Sequence, residues 1–213
     1  MIRIDIFADV VCPWCYIGEK RLQGALEQRP ELEIERHWQP FQLRPEMPQD
    51  GVDWQQWANE KFGGMERADE VFSHVTGVGR DLGIELNFDR MTRAPNTANA
   101  HRLILLAAGQ DREWEAVDAL YRAHFTDGRN LSDLDELTAT AGEIGLDPDE
   151  VQAFLRTDEG LNIVRQSQEV ASQLGISGVP FFIFNSQYAV SGAQPEEVFL
   201  NVLDRLQEDV AAD

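Results

Sequence analysis

The chain has 213 residues, of which 43% are hydrophobic, enough for one large domain or for a domain with an insertion. Its formal net charge of −20, with Lys20 and Lys61 as the only lysines, argues against binding to nucleic acid or to an anionic membrane. No stretch reaches the roughly 18 to 20 apolar residues of a membrane-spanning helix. The first residues also lack the features of a signal peptide, so we expect a cytoplasmic protein.

The first part of the chain predicts two strands with a helix between them. Residues 2–7 alternate weakly in hydrophobicity and predict a strand. Residues 18–28 place their apolar side chains on one helical face, and Pro30 ends this helix. Residues 34–43 predict the second strand, which is stopped by Pro45.

The middle of the chain, from Asp53 to about Gly175, has the periodicity of helices. Asp53 is a suitable N-cap, and a helix over 66–82 is expected to turn Val71, Phe72 and Val75 inward.

Further helix starts are predicted where capping residues precede periodic segments. These are Pro95-Asn96-Thr97, a capping box of Ser132 with Asp135, and Asp147 followed by Pro148. The last helix of this block places Leu161, Val164, Ala171 and Leu174 on one face.

The final part of the chain returns to strands. Residues 179–184 predict a strand, Asn185-Ser186 a turn, residues 188–190 the hairpin partner, and Pro195 the start of a last helix. Because neither end of the chain can bury its apolar face alone, both ends must form one sheet. We therefore expect an α/β protein in which residues 1–48 and 176–213 form one domain and residues 49–175 form an all-helical insertion.

The two cysteines are the strongest functional signal. Cys12 and Cys15 flank Pro13 and Trp14 between a predicted strand and a predicted helix. Unpaired N–H groups and the dipole at a helix N-terminus favour a thiolate at Cys12, and Pro13 suits the first helical position. Cys15, one turn further on, could then displace whatever Cys12 has captured. The carboxylate of Asp9 opposes this effect, and we expect the helix terminus to dominate.

A zinc site is the main chemical alternative for these thiols, and a dithiol without a role is another. A structural zinc site needs four ligands. The histidines that would have to complete it are scattered without metal-ligand spacing, at His37, His74, His101 and His124. We therefore expect no metal.

Four stretches in this order resemble the DsbA family of thiol–disulfide oxidoreductases in the thioredoxin superfamily, and within it the FrnE-like branch. They are Asp9-Val10-Val11-Cys12-Pro13-Trp14-Cys15-Tyr16-Ile17-Gly18, Pro95-Asn96-Thr97 with Ala100-His101-Arg102, Gly178-Val179-Pro180-Phe181-Phe182, and Ser191-Gly192-Ala193-Gln194-Pro195. The resemblance implies a thioredoxin-like fold with a helical insertion.

The resemblance also implies a substrate-binding surface around the dithiol. It places a cis Val179–Pro180 peptide beside the cysteines, where the Val179 backbone could pair with an extended substrate or with glutathione. Without the resemblance, a trans proline at the start of an edge strand would be favoured. Asn96 and His101 lie near the start of the inserted helix that would cover the dithiol, and their alternatives are a capping and a packing role. Trp14 is expected to shape the entrance.

Three functions remain open at this stage. The first is a cytosolic thiol–disulfide oxidoreductase that acts on a dithiol or disulfide protein or on a small thiol. It would have no tightly bound cofactor, and glutathione would be a candidate electron source. The second follows from a resemblance to 2-hydroxychromene-2-carboxylate isomerases and kappa-class glutathione transferases: glutathione-dependent chemistry on a small aromatic or polyketide-like substrate. Those enzymes usually carry serine at the position of Cys12, which favours redox chemistry here. The third is a holdase-type chaperone. The sequence leaves the oligomeric state undetermined.

Overall fold

The computed structural model describes residues 1–212, with side chains through residue 209. Its main sheet has four strands in the order β2–β1–β5–β6. They are β1 (Ile2–Ala8), β2 (Ile34–Pro40), β5 (Phe181–Phe184) and β6 (Tyr188–Ser191). Strand β1 is parallel to β2 and antiparallel to β5, so both ends of the chain contribute to one sheet, as predicted.

Two faces of this sheet are buried by different helices. Ile4 and Ile6 of β1 share the larger core with helix α1 (Pro13–Glu27) and helix α9 (Glu196–Ala212). Phe7 points to the opposite face, where it packs with Ala171 of helix α8 (Leu161–Gln173). Only the end of β1 is buried on both faces: Arg3 is exposed and Asp5 half-buried, whereas Ile6, Phe7 and Ala8 are all buried.

Residues between β2 and β5 form the helical insertion. Its further helices are α2 (Trp54–Phe62), α3 (Met65–Asp81), α4 (Ala98–Ala108), α5 (Glu113–Tyr121), α6 (Leu134–Glu143) and α7 (Pro148–Leu155). The expectation of an all-helical insertion is wrong in one respect. Strands β3 (Val52–Asp53) and β4 (Arg93–Ala94) form a short antiparallel pair, because the segment before α4 lies beside the segment before α2. Among the described residues, no helix is both long enough and apolar enough to cross a membrane.

Several local predictions are confirmed by hydrogen bonds. The Asp53 side chain accepts from Gln56 N at 2.9 Å, and the Asp147 side chain accepts from Asp149 N at 2.9 Å with Pro148 in the first helical position. The hairpin turns at Asn185 and Ser186, whose φ angles of 48° and 56° are positive, as at the centre of a type I′ turn. Gln187 N donates to the Phe184 carbonyl at 2.9 Å and closes this turn, and three residues separate the paired Phe184 and Tyr188.

Three other local predictions are wrong. Strand β2 ends at Pro40 rather than at residue 43, whereas α1 begins at Pro13, the predicted first helical position, ahead of the periodic stretch at 18–28. Val71 and Leu174 are 41% and 57% exposed rather than inward. Leu174 is the C-cap residue of its helix, where the apolar face is no longer covered.

The predicted capping box of Ser132 and Asp135 is displaced by one residue. Asp133 is the N-cap of α6, and its side chain accepts from Asp135 N at 2.8 Å. Ser132 Oγ instead accepts from Asn96 N at 2.8 Å, because the extended backbone needed for capping occurs at Asp133.

A glycine allows close packing between α1 and the segment before β5. A Cβ atom added at Gly18 would lie 2.9 Å from Pro180 Cγ and 3.2 Å from Phe182 Cζ. A methyl group at this position would therefore push the first turns of α1 away from Pro180.

We expect Gly18→Ala to lower the free energy of unfolding by about 1–3 kcal/mol, the usual cost of overpacking. Gly77→Ala is the matched control, because a Cβ at Gly77 in α3 meets nothing within 4 Å. That control should raise stability by about 0.5–1 kcal/mol, since alanine is the better helix former. Urea unfolding followed by circular dichroism measures both, and equal behaviour of the two variants would contradict the close contact.

Candidate active site

The dithiol lies where β1 leads into α1. Cys12 is the N-cap of α1, with extended backbone and without a side-chain capping bond, and Pro13 occupies the first helical position. The N–H groups of Cys15 and Tyr16 donate to the Cys12 carbonyl at 3.0 and 3.3 Å. This turn holds both sulfurs at the N-terminal end of the helix, with Cys12 6% and Cys15 1% exposed.

The segment before β5 lies against Cys12. The Cys12 thiol donates to the Val179 carbonyl at a sulfur–oxygen distance of 3.8 Å. The Val179–Pro180 peptide bond is cis. Among the described residues, the N–H of Val179 donates to no hydrogen-bond acceptor. The structure therefore brings Val179 and Pro180 beside Cys12, although Cys12 and Val179 are 167 positions apart in the sequence.

Cys15 is held as a neutral thiol. Burial is the main cause that raises the pKa of Cys15 well above its ordinary value. Its hydrogen bond with Cys12, the charge of Cys12 and the charge of Asp9 raise this pKa further, whereas the Asp9 backbone lowers it. Cys15 must therefore give up a tightly held proton before it can attack another sulfur.

A chain of buried polar side chains runs from the dithiol into the insertion. Trp38 Nε1 donates to His101 Nδ1 at 3.2 Å, so the proton of a neutral His101 is on Nε2. That Nε2 lies 3.4 Å from Asp9 Oδ1, which is within ion-pair distance but longer than an ordinary hydrogen bond. Asp9 Oδ2 accepts from Leu43 N at 2.8 Å. Asp9 and His101 are 1% and 0% exposed, so their interaction is shielded from solvent.

Two further buried side chains lie on the same side of the dithiol. Tyr16 stacks on Tyr121 with ring centroids 4.6 Å apart, and burial followed by the charges of both cysteines raises the pKa of Tyr121. His124 lies in a π-helical turn, and its burial lowers its pKa to about 4. Four buried atoms in this region make no hydrogen bond among the described residues: Asp9 Oδ1, His101 Nε2, Tyr121 Oη and His124 Nδ1.

A cavity of about 270 Å³ opens in front of Cys12. Pro13 and Trp14 form part of its wall beside Cys12, and aromatic side chains of the insertion form the opposite wall. The ring of Trp14 lies 6.0 Å from that of His74 on α3, so it spans the gap between α1 and the insertion.

The other predicted site residues are placed differently. Asn96 precedes Thr97, the N-cap residue of α4, and its Oδ1 accepts from Ala98 N at 2.9 Å at the start of that helix. Its Nδ2 donates to the Met47 carbonyl at 2.6 Å and so fixes the loop after β2. His101 is buried behind the dithiol and does not line the cavity. In the described part of the chain, no three His, Cys, Asp or Glu side chains are grouped to hold a metal ion.

Several residues that line the cavity were not predicted from the sequence. Arg44 and Lys61 lie at its mouth, and Trp54, Trp57, Phe72 and Phe88 form its aromatic wall. The available signals were the rarity of lysine and the concentration of aromatic residues between 54 and 88.

Residues 3–204 match the family of DSBA-like thioredoxin domains. The chain belongs to this family. The predicted resemblance to the DsbA family is thus confirmed, and the FrnE-like branch stays a prediction.

Three known proteins show how far the similarity extends. A probable DsbA oxidoreductase from Streptomyces coelicolor is 33% identical, with a TM-score of 0.87 over 96% of this chain and 89% of that one. The cytosolic disulfide reductase DsbM from Pseudomonas aeruginosa, solved with GSH, is 19% identical and shares the fold, with a TM-score of 0.66 over 96% and 99% of the chains. A 2-hydroxychromene-2-carboxylate isomerase from Sphingobium xenophagum is 32% identical over 83 residues, which are 39% of this chain and 43% of that protein.

We expect Asp9→Asn to lower the pKa of Cys15, because it removes a buried negative charge that opposes the Cys15 thiolate. Burial and the interactions with Cys12 have the larger effects on this pKa, so Asp9→Asn should lower it without restoring its ordinary value. Thiolate absorbance measured against pH in the Cys12→Ser background reports Cys15 alone. Asp111→Asn, the same charge change in an exposed turn, is the control and should leave this pKa unchanged. An unchanged value in Asp9→Asn would mean that Asp9 does not act on Cys15.

His124 predicts an acid-sensitive contribution to stability. Its folded pKa of about 4 lies below the ordinary value of 6.5, so the unfolded chain binds the proton more readily. The contribution is complete above the unfolded pKa and is lost as the pH falls toward the folded one. Between about pH 7.5 and pH 4, the wild type should lose about 3 kcal/mol more than His124→Gln. Chemical unfolding at several pH values measures this difference, and parallel curves for the two proteins would contradict it.

Proposed function

We propose that this protein is a cytosolic thiol–disulfide oxidoreductase in which Cys12 is the attacking sulfur and Cys15 the resolving one. The observation that carries the proposal is the position of Cys12 at the N-terminus of α1, one helical turn from Cys15 and in contact with the Val179 carbonyl. Helix N-termini stabilise thiolates, and a second thiol one turn away can form a disulfide with the first.

The reaction is a two-step exchange. The Cys12 thiolate attacks one sulfur of a substrate disulfide, the substrate S–S bond breaks, and one substrate thiolate leaves. Cys15 then loses its proton and attacks the Cys12 sulfur. This step releases the second substrate thiolate and forms the Cys12–Cys15 disulfide. The substrate has gained two electrons, which two glutathione thiols can restore to the protein as they form glutathione disulfide.

The backbone of Val179 is the proposed docking point for an extended disulfide partner. Its free N–H and its carbonyl precede strand β5, so a peptide or glutathione could add to this edge as a short strand. Pro180 fixes this segment beside Cys12, with Gly192 N donating to its carbonyl at 2.8 Å. DsbM, a cytosolic disulfide reductase that was solved with GSH, supports glutathione as the electron source.

A glutathione-dependent isomerase is the second candidate. It is favoured by the local similarity to 2-hydroxychromene-2-carboxylate isomerase and by the aromatic cavity in front of Cys12. This chemistry would need one nucleophilic group or bound glutathione, and no resolving thiol.

Reduction of insulin with glutathione as reductant tests the two candidates. We expect turnover with the wild type and background rates with Cys12→Ser. Cys15→Ser should lose turnover and accumulate a mixed disulfide at Cys12, because the captured partner cannot be displaced. Mass spectrometry measures this product without interference, since the chain has only these two cysteines.

The proposal would be contradicted if the wild type and Cys12→Ser reduced insulin equally slowly. Full catalytic turnover of a small aromatic substrate by Cys15→Ser would favour the isomerase instead.

A further inference from the structure

The cavity in front of Cys12 has an aromatic wall built by the insertion. Trp54 stacks on Trp57 and on Phe72 with ring centroids 4.8 and 5.4 Å apart, and Phe72 stacks on Phe88 at 4.4 Å. All four side chains line the cavity. Its volume of about 270 Å³ is close to the lower limit for small-molecule sites, roughly 300 Å³. The cavity therefore has the size and chemistry to take one substituted aromatic ring.

Two positive charges lie at the mouth of this cavity on the same indole ring. The guanidinium carbon of Arg44 lies 5.3 Å from the Trp57 ring centroid, and Lys61 Nζ lies 5.5 Å from it. Within the described part of the chain, neither cation has a carboxylate within 4 Å. Asp9 is the only acidic residue of the cavity wall, and it is buried.

Helix chemistry and cation–π contacts explain only part of this arrangement. Lys61 is in the last turn of α2, where a cation is favourable, and each cation gains from the face of Trp57. Arg44, however, belongs to the loop after β2, so the dipole of α2 does not explain its position. Partial burial of the Lys61 ammonium group, followed by the charge of Arg44, lowers the pKa of Lys61, whereas the charge of Cys12 raises it. The Cys12 thiolate is thus one anion that acts on Lys61. Two cations that repel each other on one ring would be stabilised further by the carboxylate of a ligand.

The charge of this pair is opposite to that of the chain as a whole. The protein has 38 acidic residues and 18 lysines and arginines, of which only two are lysines. The other lysine, Lys20, is paired with Asp118 at 3.0 Å. Arg44 and Lys61 therefore make the mouth of the cavity beside Cys12 positively charged, whereas the chain as a whole is acidic.

We propose that this site selects small aromatic disulfides that carry a carboxylate. The ring would lie against the wall of Trp54, Trp57, Phe72 and Phe88, the carboxylate would bind Arg44 and Lys61, and the disulfide would face Cys12. Attack by Cys12 breaks the substrate S–S bond and releases an aromatic thiolate, and Cys15 completes the exchange as described above. The disulfide step rests on the proposed function, whereas the binding of the aromatic carboxylate does not.

Calorimetric titration tests the binding without any redox step. Nitrobenzoate and nitrobenzyl alcohol share the ring and differ in the carboxylate. We expect the wild type to bind nitrobenzoate more tightly, and the Arg44→Gln/Lys61→Gln double variant to lose roughly tenfold in affinity for nitrobenzoate alone. Lys20→Gln makes the same charge change away from the cavity and should bind like the wild type.

Stopped-flow reaction of the reduced protein with two aromatic disulfides tests the selection. Dithiobis(nitrobenzoate) carries a carboxylate on each ring, and dithiodipyridine is neutral. Each single variant, Arg44→Gln or Lys61→Gln, should lower the rate constant for the anionic disulfide by roughly three- to tenfold relative to the neutral one. High salt should reduce the difference between wild type and variants.

Three results would overturn the inference. One is equal affinity of the wild type and the double variant for nitrobenzoate. Another is an equal loss of rate with both disulfides, which would mean that the cations act on Cys12 and not on the substrate. The third is an equal effect of Lys20→Gln, which would indicate a general effect of charge. If the wild type bound nitrobenzoate selectively but reacted with neither disulfide, the anion site would stand and the proposed oxidoreductase function would fail.

Discussion

The contact between α1 and the segment around Pro180 is the constraint on which the site depends. Cys12 and the Val179 carbonyl are separated by 167 positions in the sequence. Pairing of β5 with β1 brings this segment to the start of α1, and the absence of a side chain at Gly18 lets it approach closely. Neither half of the chain holds a complete site. The Val179 carbonyl reaches Cys12 only when β5, which follows the insertion, has paired with β1, which precedes it.

The polar groups behind the dithiol are an exception to the apolar packing around them. Buried polar atoms without partners cost free energy, and native structures contain few of them. Here Tyr121 and His124 each place such an atom near the two cysteines, and Asp9 and His101 face each other at 3.4 Å, which is longer than an ordinary hydrogen bond. A region of this kind weakens the fold, and such departures from good packing concentrate at functional sites. The charge of Asp9 and the burial of Cys15 both raise the pKa of the Cys15 thiol, so both oppose the deprotonation that the resolving step requires.

Local features of the fold and of the site could be predicted from the sequence, whereas the buried contacts between distant elements could not. The dithiol at a strand–helix junction, the caps at Asp53 and Asp147 and the turn at Asn185 all follow from patterns within a few residues. The interaction of Asp9 with His101 and Trp38 joins three separate elements, and no short pattern encodes it. Periodicity also predicts which face of a helix is apolar, but not how far along the helix other elements cover that face. This is why the apolar periodicity predicts a buried Leu174, whereas its side chain is exposed.

The two halves of the protein contribute different parts of the site. Strand β1 and helix α1 hold the sulfurs, whereas α2 supplies Trp57 and Lys61 on the facing wall. The residues proposed to select a ligand and those that carry out exchange therefore belong to different elements, although the charge of Cys12 still acts on Lys61. The net charge of −20 repels an approaching anion, but salt screens this field beyond about 8 Å at physiological ionic strength. Arg44 and Lys61 line the cavity, so they act on a bound ligand within this screening distance. An anionic ligand is therefore repelled weakly by the acidic surface at long range and attracted by the two cations once it reaches the cavity.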